Sequence, residues 1–407
     1  MADLDEMIRI SREAVDATPG DHDPDRGSAL CTLGYQLHGR YIRTGAMEDL
    51  EMAIQATQES VNALPKGHPD RARPLHNLGV QLDERYTRTE ALKDLEGAIL
   101  ATQESIDATP ETNPITISNL GNQFYNKFRR TGAMEDLQAS LQATRESISA
   151  IPGDHPDRAE WLDHLQQRLY LKYKKTEAME DLEETVQAAR ESVDATAKDH
   201  PARILYLRNL GAALGNKYSR TKLMSDLEEA TRITQEVVDM TPKDSLERAS
   251  VIYNLAVGFG SRYQRTGVLG DLQEAILLAR ESVDATPEGH PDRALRLCNL
   301  GVRLGNRYSR TGKIGDLEEA ILFAQEALDA TPKDYPNRAQ RLNSLSNRLA
   351  DRFERIGIME DIEEAIRLLR EAIDATPKKP SKPCFFVKKS RNCAQPEMRK
   401  NWSKIRS

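Results

Sequence analysis

Aromatic side chains are scarce in this chain, at 5% of 407 residues, and no apolar run approaches the ~18 residues of a membrane-spanning helix. Cysteine is rarer still. Cys31, Cys298, Cys384 and Cys393 lack the paired spacing that holds zinc or builds a disulfide framework. Sparse thiols fit a reducing compartment, and the acidic start Met1-Ala2-Asp3-Leu4-Asp5-Glu6 is no signal peptide. A cytoplasmic setting is the expectation. A catalytic constellation is also missing. The loop histidines His22, His68, His155, His200 and His290 have no Ser, Cys or second His beside them, so a loop role is expected for them. Gly258-Phe259-Gly260 lies inside a helical pattern and lacks the strand-to-helix context of a phosphate loop. These absences predict no enzyme, no metal site, no cofactor and no small-molecule substrate.

What the chain has is repetition. Asp3, Asp49, Asp94, Asp136, Asp181, Asp226, Asp271, Asp316 and Asp361 are spaced by 45 residues, except for one interval of 46 and one of 42. Each is followed by Leu, the last by Ile362. Self-similarity held that long marks a stacked-repeat protein, whose units bury their apolar faces only against neighbours. The repeat overrides the two or three compact domains that length alone suggests. The two odd intervals place their length changes in loops, at His22-Asp23-Pro24-Asp25 and around Thr112 to Ile117.

One unit reads as two helices. From Pro69 to Arg88, the residues Ala72, Leu75, Leu78, Gly79, Leu82 and Tyr86 recur at steps of three and four, which makes helix A. Glycine follows its end at Gly45, Gly132, Gly267, Gly312 and Gly357; Glu90, Glu177 and Lys222 stand there instead in three units. Helix B runs from about Met47 to Ala63 with Leu50, Ala53, Ile54, Thr57 and Val61 inward, and ends before Pro65. Small residues such as Gly79 and Ala98 let A and B approach as an antiparallel pair. The chain opens and closes on a helix B, so one lone helix and eight A–B pairs are expected, seventeen helices over residues 1–376. Neither end shows a dedicated capping helix, which leaves homo-oligomerisation through uncapped ends open.

The pattern His-Pro-Asp-x-Ala-x-x-Leu-x-Asn-Leu-Gly, for example His290 to Gly301, and the spacing Ala275 to Pro287 resemble the tetratricopeptide repeat of the kinesin-light-chain-like type. The unit departs from that repeat by about one extra helical turn, carrying Arg-Tyr-x-Arg-Thr. The chain is also similar to long fungal arrays that often flank a caspase-like (CHAT) peptidase or nucleotide-binding domain. The resemblance implies an all-α fold: a right-handed superhelical solenoid of antiparallel helix pairs, with helix A lining a concave groove for an extended peptide or partner helix. A protein-interaction scaffold is the leading expectation. The alternative is a regulatory or sensor arm of a larger signalling protein whose catalytic domain lies outside this sequence.

In the family, the position before the helix A leucine faces the groove. Here it holds Asn77, Asn119, Asn209, Asn254 and Asn299, with Asn126, Asn216 and Asn306 two turns further along. An amide both donates and accepts, so such a ladder can hold a peptide backbone, or equally bond to the neighbouring repeat. A second series, Arg40, Arg85, Lys127, Lys172, Lys217, Arg262, Arg307 and Arg352, stands opposite the Asp series and Glu59, Glu104, Glu146, Glu191, Glu236, Glu281, Glu326 and Glu371. Its uniformity predicts structural ion pairs. Residues 378–407 carry ten Lys or Arg and one Glu, against −7 overall, so the body is near −16. That acidity argues against nucleic acid and leaves basic peptides as partners. The tail 377–407 reads as disordered and solvated, with a nuclear signal as the minority reading.

Overall fold

The computed structural model describes residues 2–375, apart from residues 19, 21, 22, 110–112, 244 and 246. The expected basic tail lies outside the described residues. Seventeen α-helices are present and no strand among the described residues. The B helices are α1 (Ala2–Ala17), α3 (Met47–Ala63), α5 (Leu92–Asp107), α7 (Met134–Ser149), α9 (Met179–Asp194), α11 (Met224–Met240), α13 (Leu269–Asp284), α15 (Ile314–Asp329) and α17 (Met359–Asp374). The A helices are α2 (Pro24–Thr44), α4 (Ala72–Thr89), α6 (Pro114–Thr131), α8 (Arg158–Thr176), α10 (Arg203–Thr221), α12 (Arg248–Thr266), α14 (Arg293–Thr311) and α16 (Arg338–Ile356). The contacts group into two units, one up to Val237 and one from Val238. No described helix is long and apolar enough to cross a membrane.

Each A helix lies against the B helix that follows it, and within each unit that B helix meets the next A helix. Close approach depends on small residues. A Cβ on Gly79 would stand 2.2 Å from Thr102 Oγ1 and 3.3 Å from the Ala98 carbonyl, so any larger residue would push helices A and B apart. The core is a file of leucines and alanines between the layers: Leu50, Leu95, Leu137 and Leu182 in the first unit and Leu272 and Leu317 in the second are fully buried. Within each unit, successive A helices such as α2 and α4, or α14 and α16, touch through their backbones. The B helices instead meet through long side chains, as in Arg145 to Glu184 at 2.8 Å. Helix A is therefore the inner side of each unit's curve.

The A–B turn needs a left-handed residue. Glycine supplies it at φ 72°, 75°, 73°, 71° and 78° (Gly45, Gly132, Gly267, Gly312, Gly357), while Glu90, Glu177 and Lys222 are held there at φ 55–57°. A Cβ makes that conformation costly by about 1–2 kcal/mol, so these three turns are strained by the fold, as their sequence implies.

The connection from B to the next A explains the His-Pro-Asp-Arg-Ala motif. His68, His155, His200 and His290 each accept the backbone N–H two residues on through Nδ1, at 3.1–3.2 Å, doing the work of an N-cap. Ser245 does the same in its unit, and Asp23 and Asn113 do so where the motif differs. The motif's arginine closes the preceding B helix. Arg203 Nη1 donates to the carbonyls of Val193 (3.0 Å) and Thr196 (2.8 Å), and Arg248 to those of Val238 (2.9 Å) and Thr241 (2.6 Å). Arg26, Arg71, Arg293 and Arg338 repeat the arrangement, and Arg158 reaches one carbonyl, that of Ile148. The orphan carbonyls of a helix C-terminus thus find a cationic donor.

Candidate peptide-binding face

All eight sequence-predicted asparagines lie on A helices. Asn254 is exposed and the other seven are half-buried. They do not act alike. Asn77 donates to Cys31 Sγ (3.7 Å), Asn126 to Asp83 Oδ1 (3.3 Å) and Asn209 to Asp163 Oδ1 (2.7 Å), each reaching the preceding A helix. Asn299 lies beside Tyr253, and its Oδ1 is buried without a donor. Asn119, Asn216, Asn254 and Asn306 make no side-chain hydrogen bond among the described residues. Three amides therefore join repeats, and four do not.

Beside the asparagines runs a buried column that sequence reading missed. It holds Gln36, Gln81, Gln123, Arg168 and Ala213 in successive A helices of the first unit, all under 9% exposed. Gln81 Nε2 donates to the Gly34 carbonyl (3.4 Å) and Gln123 Nε2 to that of Gly79 (3.3 Å). Arg168 donates to Thr144 Oγ1 and Asn122 Oδ1 and lies over the Tyr125 ring at 5.4 Å. Burial pushes its guanidinium down to about 10. In the second unit, Arg303 and Arg348 take the position and lie across Gly260 and Gly305, where a Cβ would overlap them. The signal was present: a helix-interior glycine 43 residues before an arginine, twice.

At Ala213 the column is interrupted, and a cavity of about 320 Å³ opens there. Tyr125, Gln166, Tyr170, Asn209, Asn216 and Ala213 line it, with Thr185 of α9 at its wall. Two predicted residues, Asn209 and Asn216, meet in it, and no lining residue is charged.

The ionic series is structural. All eight cations pair with the Asp nine residues on, across the A–B turn, at 2.6–3.5 Å. Arg40, Arg85, Arg307 and Arg352 grip both carboxylate oxygens through Nε and Nη2. Where lysine takes the place, at Lys127, Lys172 and Lys217, the hydroxyls of Thr131, Thr176 and Thr221 donate to the second oxygen. The Asp hydrogen bonds raise Arg307 and Arg352 above the ordinary guanidinium value. The Glu series, expected opposite the same cations, sits elsewhere: Glu104, Glu236, Glu281 and Glu371 face the capping arginines Arg71, Arg203, Arg248 and Arg338 at 3.0–4.0 Å. The reason is direction, since helix B carries these glutamates to its far end.

Charge is divided by layer. Helix α14 carries five arginines and no acid; α15 carries five acids and no base. In the first unit α10 has four bases and no acid, and α9 six acids and one arginine. The body's acidity is thus a property of the B layer, and the inner A layer is basic. Burial raises the thiols of Cys31 and Cys298 above the ordinary value. No cluster of potential metal ligands occurs among the described residues.

A comparison of the sequence with family models and with curated proteins finds no match. Among solved structures, the C-terminal part of a TPR repeat-containing protein from Cytophaga hutchinsonii is similar at a TM-score of 0.51 and 10% identity, over 73% of this chain and 98% of that one. At this identity the likeness is one of fold, a tetratricopeptide-type helical solenoid. Kinesin-light-chain-type repeats are also among the structural neighbours: the Podosopora anserina putative kinesin light chain nearly identical TPR-like repeats give 0.38 at 17% identity, over 54% and 96%. The apo quorum sensor NprR from B. thuringiensis gives 0.45 at 15%, over 85% and 88%.

Proposed function

We propose that the chain is a non-enzymatic interaction scaffold whose A-helix face, in the unit up to Val237, receives an extended peptide. The observation that carries this reading is the uncharged cavity where Asn209 and Asn216 meet, on the inner side of the curve. Free amides at Asn119 and Asn216 support it, because an amide can hold the N–H and C=O of an extended backbone without reading its sequence. The basic A layer favours neutral or acidic peptides over the basic ones that net charge suggested.

The test is a phage-displayed library of 12-residue peptides panned against the full chain. Peptides enriched on the wild type should lose binding to Asn119→Ala/Asn216→Ala, with helicity and melting unchanged. Asn77→Ala/Asn126→Ala, which removes repeat-joining bonds, should lower stability while keeping capture. Equal capture by the wild type and Asn119→Ala/Asn216→Ala would refute the reading.

A further inference from the structure

We infer that the cavity beside Ala213 is a socket for a glutamine side chain of the bound peptide, an inference that rests on the peptide-binding reading of this face. The argument begins with what fills the same position elsewhere in the unit. Gln81 sends its amide to the carbonyl of Gly34, and Gln123 sends its own to that of Gly79, each the corresponding residue of the preceding A helix. Gln36 accepts from Ser11 Oγ at 2.7 Å. In α8 the longer Arg168 occupies the position, reaching Asn122.

In α10 the chain supplies only the methyl group of Ala213, 3% exposed. Four heavy atoms of a glutamine are missing, and the corresponding residue of the preceding helix is Gln166, which lines the cavity. The cavity therefore carries, at Gln166, the residue whose carbonyl stands where this fold twice receives the amide N–H of a glutamine of its own. Its chemistry narrows the occupant further. No charged residue lines it, so a carboxylate or ammonium would lose its hydration without gaining a partner. An aliphatic side chain would leave Asn216, which has no hydrogen bond among the described residues, unpaired beneath it. A primary amide meets both demands. It donates to the Gln166 carbonyl as Gln81 and Gln123 do at their positions, and it accepts from Asn216. Tyr125 and Tyr170 flank the space with flat rings suited to a planar amide.

Five synthetic 11-residue peptides with a Ser/Ala background and a central Gln, Glu, Leu, Tyr or Lys, read by fluorescence anisotropy on the full chain, test this. The Gln peptide should bind the wild type at least about tenfold tighter than the Glu and Lys peptides and tighter than the Leu and Tyr peptides. Ala213→Gln, which supplies the amide in cis, should abolish that preference while melting no lower than the wild type; Ala213→Ser should keep it. If Ala213→Gln fails to fold, saturation transfer from the wild type to N-acetylglutamine methylamide, absent for the glutamate and leucine analogues, carries the same test. Equal binding of all five peptides would overturn the socket and leave the peptide-binding face standing. So would a Gln preference that survives in folded Ala213→Gln. Binding of none would overturn both.

Discussion

Replacing Arg203 with alanine isolates the contact that joins one helical repeat to the next. Its Nη1 donates at 3.0 and 2.8 Å to two carbonyls at the end of α9, and its Nη2 lies 4.0 Å from Glu236. A hydrogen bond from a charged donor is worth about 1.5–3 kcal/mol. The side chain is 15% exposed, so water replaces it only in part. The 4.0 Å ion pair adds little, because Glu236 is more than a third exposed and solvent-screened. Loss of about 3–4 kcal/mol is expected at the α9–α10 junction, and about half of that for Arg203→Lys, whose single ammonium cannot hold both carbonyls with the same geometry. Units of a solenoid open semi-independently, so a global melting curve would blur the effect. Hydrogen exchange resolved by peptide is the better assay: protection should fall in α9 and α10 and stay unchanged in α14 and α16. A change below about 0.5 kcal/mol at that junction would refute the assignment of the motif's arginine as the cap of helix B.

Other consequences can be checked in parallel. Lys222→Gly and Glu177→Gly should each stabilise by about 1 kcal/mol by relieving a left-handed turn, read as a rise in denaturant midpoint at constant m-value. Arg307→Gln should cost about 2 kcal/mol and Arg262→Gln about 1, because Arg307 makes two hydrogen bonds to Asp316 and Arg262 only one 3.3 Å contact to Asp271; equal losses in thermal unfolding would contradict the geometry. Burial raises the Asp83 carboxyl. The folded chain therefore holds that proton longer than the unfolded chain, and stability falls as pH rises through the raised value. Asp83→Asn should match the wild type in melting temperature well below pH 4 and exceed it at pH 7. Burial lowers His76 and His164. The unfolded chain takes those protons first, so their stability is present above the ordinary value near 6.5 and is lost as pH falls below it. His76→Gln should flatten that acid limb in a melting series from pH 7.5 to 5.

Much of the architecture was legible because its signals are local. The stripe from Ala72 to Tyr86, the proline after helix B and the Gly/Glu/Lys exchange at the A–B turn each lie within one helix or turn, where periodicity and backbone preference act directly. The Asp ladder was legible for a related reason: its partners are nine residues apart and every unit repeats them. What stayed hidden lies between successive repeats. Arg203 meets carbonyls from the helix before it, and Gln123 meets a carbonyl 44 residues back. Inside helix A, Gln81 and Arg168 lie off the apolar stripe, yet close packing of adjacent A helices buries them. The asparagines were placed on the correct helices, but which amides are spent on the neighbouring repeat depends on partners such as Asp163 and Asp83 that no spacing rule reveals.

The division between constant and variable positions bears on where a partner is recognised. The ion pair across the A–B turn occurs in all eight A–B pairs, with threonine completing the carboxylate where lysine replaces arginine, so the fold demands it and it can carry no information that differs along the chain. The helix A column changes from glutamine to arginine to alanine, and each change alters what the inner face presents. A long side chain closes the gap between neighbouring A helices; Ala213 leaves it open. On the peptide-binding reading proposed above, recognition resides where the repeat departs from itself, and one such departure, Ala213, opens volume beside the amides of Asn209 and Asn216.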